Sequence, residues 1–170
     1  MKELRGPTGS RGAAAAPEPG PRRARAHAIM LTRFEHGAVV AELDEPVIEV
    51  ARKMRDGRVG CVVVTRRGRP IGIVTDRDLA VRAVAEGLDP RVTPVSDVVT
   101  YDPTTLPRTA GIDTAVRVMS ERGVRRLPIL AEDGRVSGIV TADDLTVLLA
   151  QELADLGAGV RDNVDAGESR

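Results

Sequence analysis

The sequence predicts a mixed α/β (α+β) fold in which one β-α-β-β-α unit is used twice. Three observations carry that expectation. Gly72-Ile73-Val74-Thr75-Asp76-Arg77-Asp78-Leu79 recurs as Gly138-Ile139-Val140-Thr141-Ala142-Asp143-Asp144-Leu145, with most positions identical. Apolar residues at helical spacing precede each copy: Val47, Val50, Ala51 and Met54 in the first, Ile112, Ala115, Val116 and Met119 in the second. Between stripe and repeated motif, each half carries two apolar runs split by a Gly-bearing turn, which reads as a hairpin.

Taken in order, a short extended piece near Val39–Ala41 opens the first copy. The stripe from Val47 to Met54 is one face of an amphipathic helix, with Asp44 as candidate N-cap and Pro46 suited to the first turn. Val59–Thr65 is a β-branched run, Arg66-Arg67-Gly68 a turn, and Arg69–Val74 the returning strand. Thr75 starts a second helix that ends near Gly87, a good residue for a left-handed helix terminus. The second copy repeats this. It has an extended piece near Thr104–Leu106, a helix over Gly111–Glu121, strands over Val124–Leu130 and Arg135–Val140, and a helix from Ala142 to about Leu156. Its turn, Glu132-Asp133-Gly134, is one residue longer than Arg67-Gly68, an insertion where it costs least. One copy, of roughly 50 ordered residues, is marginal alone; two copies packed sheet to sheet would bury a shared core.

The ends read differently. Residues 1–33 are rich in Gly, Pro, Ala and Arg, lack apolar periodicity and are expected to be a disordered arm. Its excess of Lys2, Arg5, Arg11, Arg22, Arg23, Arg25 and Arg33 over Glu3 and Glu18 admits a nucleic-acid or transit-like reading, set against an inert tail or a true start at Met30. The expected division is therefore an arm at 1–33, repeats at 34–95 and 96–156, and a flexible tail at 157–170.

Composition narrows the function. Of 170 residues, 42% are hydrophobic, and 25 basic side chains balance 25 acidic ones, which argues against a strongly basic nucleic-acid binder. Phe34 and Tyr101 are the only aromatics, too few to stack bases. The single cysteine, Cys61, excludes an intrachain disulfide and fits a reducing, cytoplasmic setting. No apolar run is long enough for a membrane helix, and none resembles the core of a signal peptide. Catalysis finds little support. His27 and His36 show no metal-ligand spacing, Cys61 lies inside an apolar strand, and no phosphate-cradling Gly-rich loop occurs.

A tandem β-α-β-β-α unit that closes twice on G-I-V-T-x-x-D-L resembles the cystathionine-β-synthase (CBS) domain pair, or Bateman module. The run Thr75–Leu79 followed by Gly87-Leu88-Asp89-Pro90 is similar to the hypoxic-response type of stand-alone pair. The resemblance implies pseudo-twofold packing, two clefts between the sheets and a homodimer. It also implies clefts that in many members bind AMP, ADP, ATP or S-adenosylmethionine and report to a partner. No tightly bound cofactor is expected.

The residues supply their own chemistry for that expectation. Thr75 with Asp78, and Thr141 with Asp144, have capping-box spacing, in which hydroxyl and carboxylate satisfy each other's backbone amides. That role needs no ligand. The same carboxylate can also accept both hydroxyls of a ribose diol, and a helix N-terminus favours anions. Arg125 and Arg126 are candidate phosphate cations, and Gly60-Cys61 at the matching positions of the first copy makes any phosphate site asymmetric. Ile73 and Ile139, with Val59 and Val124, could line an adenine slot. Arg58, Arg66, Arg67 and Arg69 read as solvated turn residues. The expected function is a regulatory adenosine-ligand sensor. Its rivals are a ligand-free dimerisation or protein-interaction module and, less favoured, a nucleic-acid binder acting through the basic arm.

Overall fold

A computed structural model describes residues 37–167, and the basic arm lies outside them. Strand β1 (Val40–Glu42) leads into helix α1 (Val47–Gly57), strands β2 (Cys61–Arg66) and β3 (Arg69–Thr75), and helix α2 (Asp76–Asp78), which continues as a π-helical segment over Leu79–Val84. A 3-10 turn at Val95–Asp97 and strand β4 (Thr100–Tyr101) join the halves. Then come β5 (Leu106–Pro107), α3 (Ile112–Arg122), β6 (Arg126–Leu130), β7 (Val136–Thr141) and α4 (Ala142–Gly167). Each half is the expected unit, and α3 starts within a residue of its expected position.

The strands form two sheets, ordered β1-β2-β3-β4 and β5-β6-β7. In both, the first strand pairs parallel with the second and the second antiparallel with the third. Matching bulges fall between Val64 and Thr65 and between Ile129 and Leu130. The halves meet at their hairpin tips with reciprocal contacts. The Arg135 side chain lies over Gly68, the Arg69 side chain lies over Gly134, and the Val136 amide donates to the Gly68 carbonyl at 3.0 Å. Two such exchanged contacts between matching positions are what pseudo-twofold packing requires.

The core is not shared as expected. Val50, Met54, Val62, Val64 and Val74 pack with Val95, Val98 and Val99 in one cluster, while Ala115, Met119, Leu127, Ile129, Val140, Leu145 and Leu148 form another. Alternation along a strand explains this: Val62 and Val64 face the helices of their own repeat, so only the odd positions face elsewhere. Val63 is fully buried outside the first cluster, on that opposite face. Each repeat therefore has its own cluster between sheet and helices, separate from the buried opposite face of β2.

Several local expectations change. Asp44 does not cap α1. Pro46, already extended at φ −61° and ψ 142°, takes that place, and the first free amides are met by a neighbouring segment. Val47 N–H donates to Thr93 O and Ile48 N–H to Pro90 O, both at 2.9 Å. Strand β4 was not foreseen. It pairs with β3 at Gly72, where an added Cβ would stand 2.9 Å from the Thr100 carbonyl oxygen. Helix α4 continues to Gly167 where a flexible tail from 157 was expected. Once nucleated a helix propagates readily, each glycine costs only about 1 kcal/mol, and no proline intervenes.

Candidate functional site

A cleft of about 370 Å³ opens between the repeats. Repeat 1 contributes Gly37, Val39, Arg58, Val59, Gly60 and Cys61; repeat 2 contributes Arg126, Ile139, Thr141, Asp143 and Asp144. Its size lies within the usual range of small-molecule pockets.

Thr141 and Asp144 form the capping box that their spacing predicted. Asp144 Oδ2 accepts from the Thr141 amide at 3.0 Å and from Thr141 Oγ1 at 2.7 Å, while the Asp144 amide donates to that hydroxyl at 3.1 Å. Both of these bonds fall on one carboxylate oxygen. Oδ1 has no partner among the described residues and belongs to a cleft-lining side chain.

Thr75 and Asp78 make the same box, with Asp78 Oδ2 at 2.9 Å from the Thr75 amide and 2.7 Å from Oγ1. The second oxygen differs. Asp78 Oδ1 lies 3.3 Å from Arg82 Nη2. Thr75, Asp78 and Ile73 do not line the cleft that holds Asp144.

Two guanidiniums line that cleft without a carboxylate partner among the described residues, Arg58 and Arg126. Arg126 opens β6 and reaches toward repeat 1. A Cβ at Gly60 would stand 3.2 Å from Arg126 Nη2 and 3.4 Å from Asp76 Oδ2, so the glycine leaves room for the cation. Arg58 ends α1 in the left-handed region, φ 52°, where repeat 2 ends α3 with Gly123 at φ 63°. A side chain in that conformation costs roughly 1–2 kcal/mol. Arg125 is turned aside: its Nη2 meets Asp143 Oδ1 at 3.1 Å, both side chains are exposed, and it is absent from the cleft wall.

Of the eight candidate site residues, the cleft gathers Thr141, Asp144, Arg126 and Ile139 and leaves Thr75, Asp78, Ile73 and Arg125 outside. Val59 supplies the apolar wall expected of it, and Val124 does not. Arg58 is the exposed turn residue it was read as, and it also stands on the cleft wall, a placement the reading did not include. The signal was present, since the repeats set an arginine against a glycine at a helix end. Cys61 is buried, and burial pushes its thiol pKa above the ordinary range; Arg126 draws it partly back, and Asp76 adds to the rise. Among the described residues no group of three His, Cys, Asp or Glu gathers as a metal site, and no helix is long and apolar enough to cross a membrane.

The cleft thus offers an open carboxylate oxygen, two cations and apolar walls from Val39, Val59 and Ile139, drawn from both halves. Comparison with known proteins identifies the family. The CBS domain model matches twice, over residues 28–84 and 95–151. CBS domain-containing protein YhcV of Bacillus subtilis is 35% identical over 104 residues, covering 61% of this chain and 73% of that protein. An uncharacterised protein of Methanopyrus kandleri is 37% identical over 102 residues, 59% of this chain, and the match spans about half (52%) of that protein's length. A CBS domain protein of Pyrobaculum aerophilum, solved in complex with AMP, superposes with TM-score 0.62 at 27% identity, covering 74% of this chain and 97% of that one. Hypoxic Response Protein I, solved with two coordinated zinc ions, superposes with TM-score 0.58 at 30% identity, covering 65% and 89%. With the family model covering both repeats in order, the chain belongs to the CBS-domain family as a tandem pair.

Proposed function

We propose that the chain is a regulatory, non-catalytic module that binds an adenosine phosphate in the cleft between its repeats. The observation that carries this reading is one cleft lined by Asp144, whose Oδ1 has no partner among the described residues, and by Arg58 and Arg126, which have no carboxylate partner among them. A ribose diol presents two donors to such a carboxylate, and a phosphate needs unpaired guanidiniums. Val59 and Ile139 offer the apolar faces that a planar base requires. The AMP complex of the Pyrobaculum aerophilum relative supports the same ligand class. AMP, ADP and ATP fit two cations better than S-adenosylmethionine, whose sulfonium would meet them with like charge.

The signal would be geometric. Arg58 and Asp144 lie on different repeats, and the repeats have separate cores, so a ligand holding both residues favours one relative orientation. A second copy of the chain or a cytoplasmic protein partner would read that orientation.

Thermal shift and calorimetry test the reading. AMP at 100 times its dissociation constant should stabilise the chain by about 2.7 kcal/mol. Arg126→Gln should weaken binding about tenfold, the loss of one charged hydrogen bond. The absence of heat and of any melting shift with AMP, ADP, ATP or S-adenosylmethionine would remove the nucleotide from the account. A ligand-free interaction module would then stand in its place. That second reading has its own support in the groove lined by Ile112, Val116 and Leu149, where Val116 and Leu149 remain exposed.

A further inference from the structure

We infer that the chain holds one adenosine ligand rather than the two its duplication provides for, and that Arg82 is the residue that closes the second position. The inference rests on the nucleotide reading above. It starts from the two capping boxes, which agree to within 0.1 Å in each hydrogen bond. In both, Oδ2 of the aspartate is taken up by the threonine, and Oδ1 is the oxygen left for a ligand.

After the box the repeats part. In repeat 2, α4 continues as a regular α-helix and the residue one turn on is Leu148, buried in the core. Asp144 Oδ1 is left open. In repeat 1 the chain winds as a π-helix over Leu79–Val84, and the residue one turn on is Arg82. Its Nη2 lies 3.3 Å from Asp78 Oδ1. Its Nη1 donates to Val98 O at 2.9 Å and to Thr100 Oγ1 at 3.1 Å. The guanidinium is therefore held from two sides, by the carboxylate and by the segment joining the repeats.

A ribose hydroxyl would have to take from Asp78 the place of a fixed, charged donor. An i,i+4 ion pair of this exposure is weak by itself, but here the guanidinium is anchored by its bonds to Val98 O and Thr100 Oγ1, and a neutral hydroxyl offers no compensating charge. Displacing Arg82 would also leave a tethered cation facing the incoming sugar. At Asp144 none of this opposes binding. Arg82 thus acts as an internal occupant of the Asp78 position and fixes stoichiometry at one ligand per chain. It also ties Asp78 to the segment that joins the repeats, through Val98 O and Thr100 Oγ1.

The test is a calorimetric AMP titration of the full chain and three variants. Wild type should bind one AMP per chain. Arg82→Leu, which copies Leu148 of repeat 2, should bind two, the new site within about tenfold of the first. Arg82→Gln, which keeps the stem and a donor for Val98 O, should open the same site more weakly. Arg82→Leu combined with Asp78→Asn should return to one, a reversal that a merely structural effect of residue 82 would not produce. Two AMP bound by wild type would overturn the inference and leave the nucleotide reading intact, as would both single variants remaining at one. A wild type that binds no AMP would overturn the nucleotide reading, and this inference with it.

Discussion

The two ends of the repeated motif, Thr75–Asp78 and Thr141–Asp144, carry the same hydrogen bonds in different company. Asp78 faces Arg82; Asp144 faces a cleft with Arg58 and Arg126. A duplicated motif therefore fixes a local structure twice, while its surroundings decide whether that structure is a cap alone or a cap that also binds. The same contrast runs through the turns before each hairpin. Repeat 1 spends a strained, left-handed arginine where repeat 2 has a glycine, and that arginine is the one on the cleft wall. Strain held at one copy and absent from its twin points to function.

The largest effects sharpen the claim that the halves hold themselves together separately. Met54→Ala and Met119→Ala occupy matching helix positions in different clusters, and each should cost about 3 kcal/mol in urea unfolding. The double variant should add the two within about 0.5 kcal/mol. A coupling above 1 kcal/mol would mean a shared core after all. Next, Asp144→Asn should weaken AMP binding tenfold or more, whereas Asp78→Asn should leave it within twofold. Equal losses by calorimetry would break the comparison between the two boxes.

Arg58→Gly should split the readouts. Stability rises by about 1 kcal/mol as the left-handed strain is relieved, and AMP affinity falls about tenfold. A variant that lost both would show Arg58 to be a packing residue. The smallest effect is alkaline. Burial raises the Cys61 thiol pKa above its unfolded value, so the fold favours the neutral thiol. The stability this contributes is complete below the unfolded thiol pKa and declines as pH rises from there toward the folded one. Cys61→Ser should flatten that decline in melting curves taken across alkaline pH. An unchanged slope would place its origin elsewhere.

Legibility followed interaction range. The stripes at Val47–Met54 and Ile112–Met119, the hairpins and both capping boxes depend on neighbours a few residues away, and all were readable. The α1 cap was not, because its acceptors, Pro90 O and Thr93 O, come from a distant segment and backbone carbonyls have no sequence signature. Strand β4 was missed for a related reason: two residues, Thr100 and Tyr101, carry too little pattern, and only the bare edge at Gly72 admits them. At the site, Thr141, Asp144, Arg126, Ile139 and Val59 were foreseen. Arg58 was legible as an exposed turn residue but not as part of the cleft wall, because that place depends on what stands across the seam. Arg125 was taken with Arg126 as a basic pair, yet Arg125 lies in the bend before β6 and meets Asp143, and only Arg126, the first residue of the strand, lines the cleft.

By itself the sequence determined the duplicated unit, most of its helices and strands, and the three hydrogen bonds in each copy that lock aspartate and threonine together, since these are settled by spacing along one chain. Tertiary structure alone decided which arginines stand beside Asp144, and that the cores remain two. Those outcomes depend on which surfaces meet when one half turns onto the other, and no local pattern encodes that rotation.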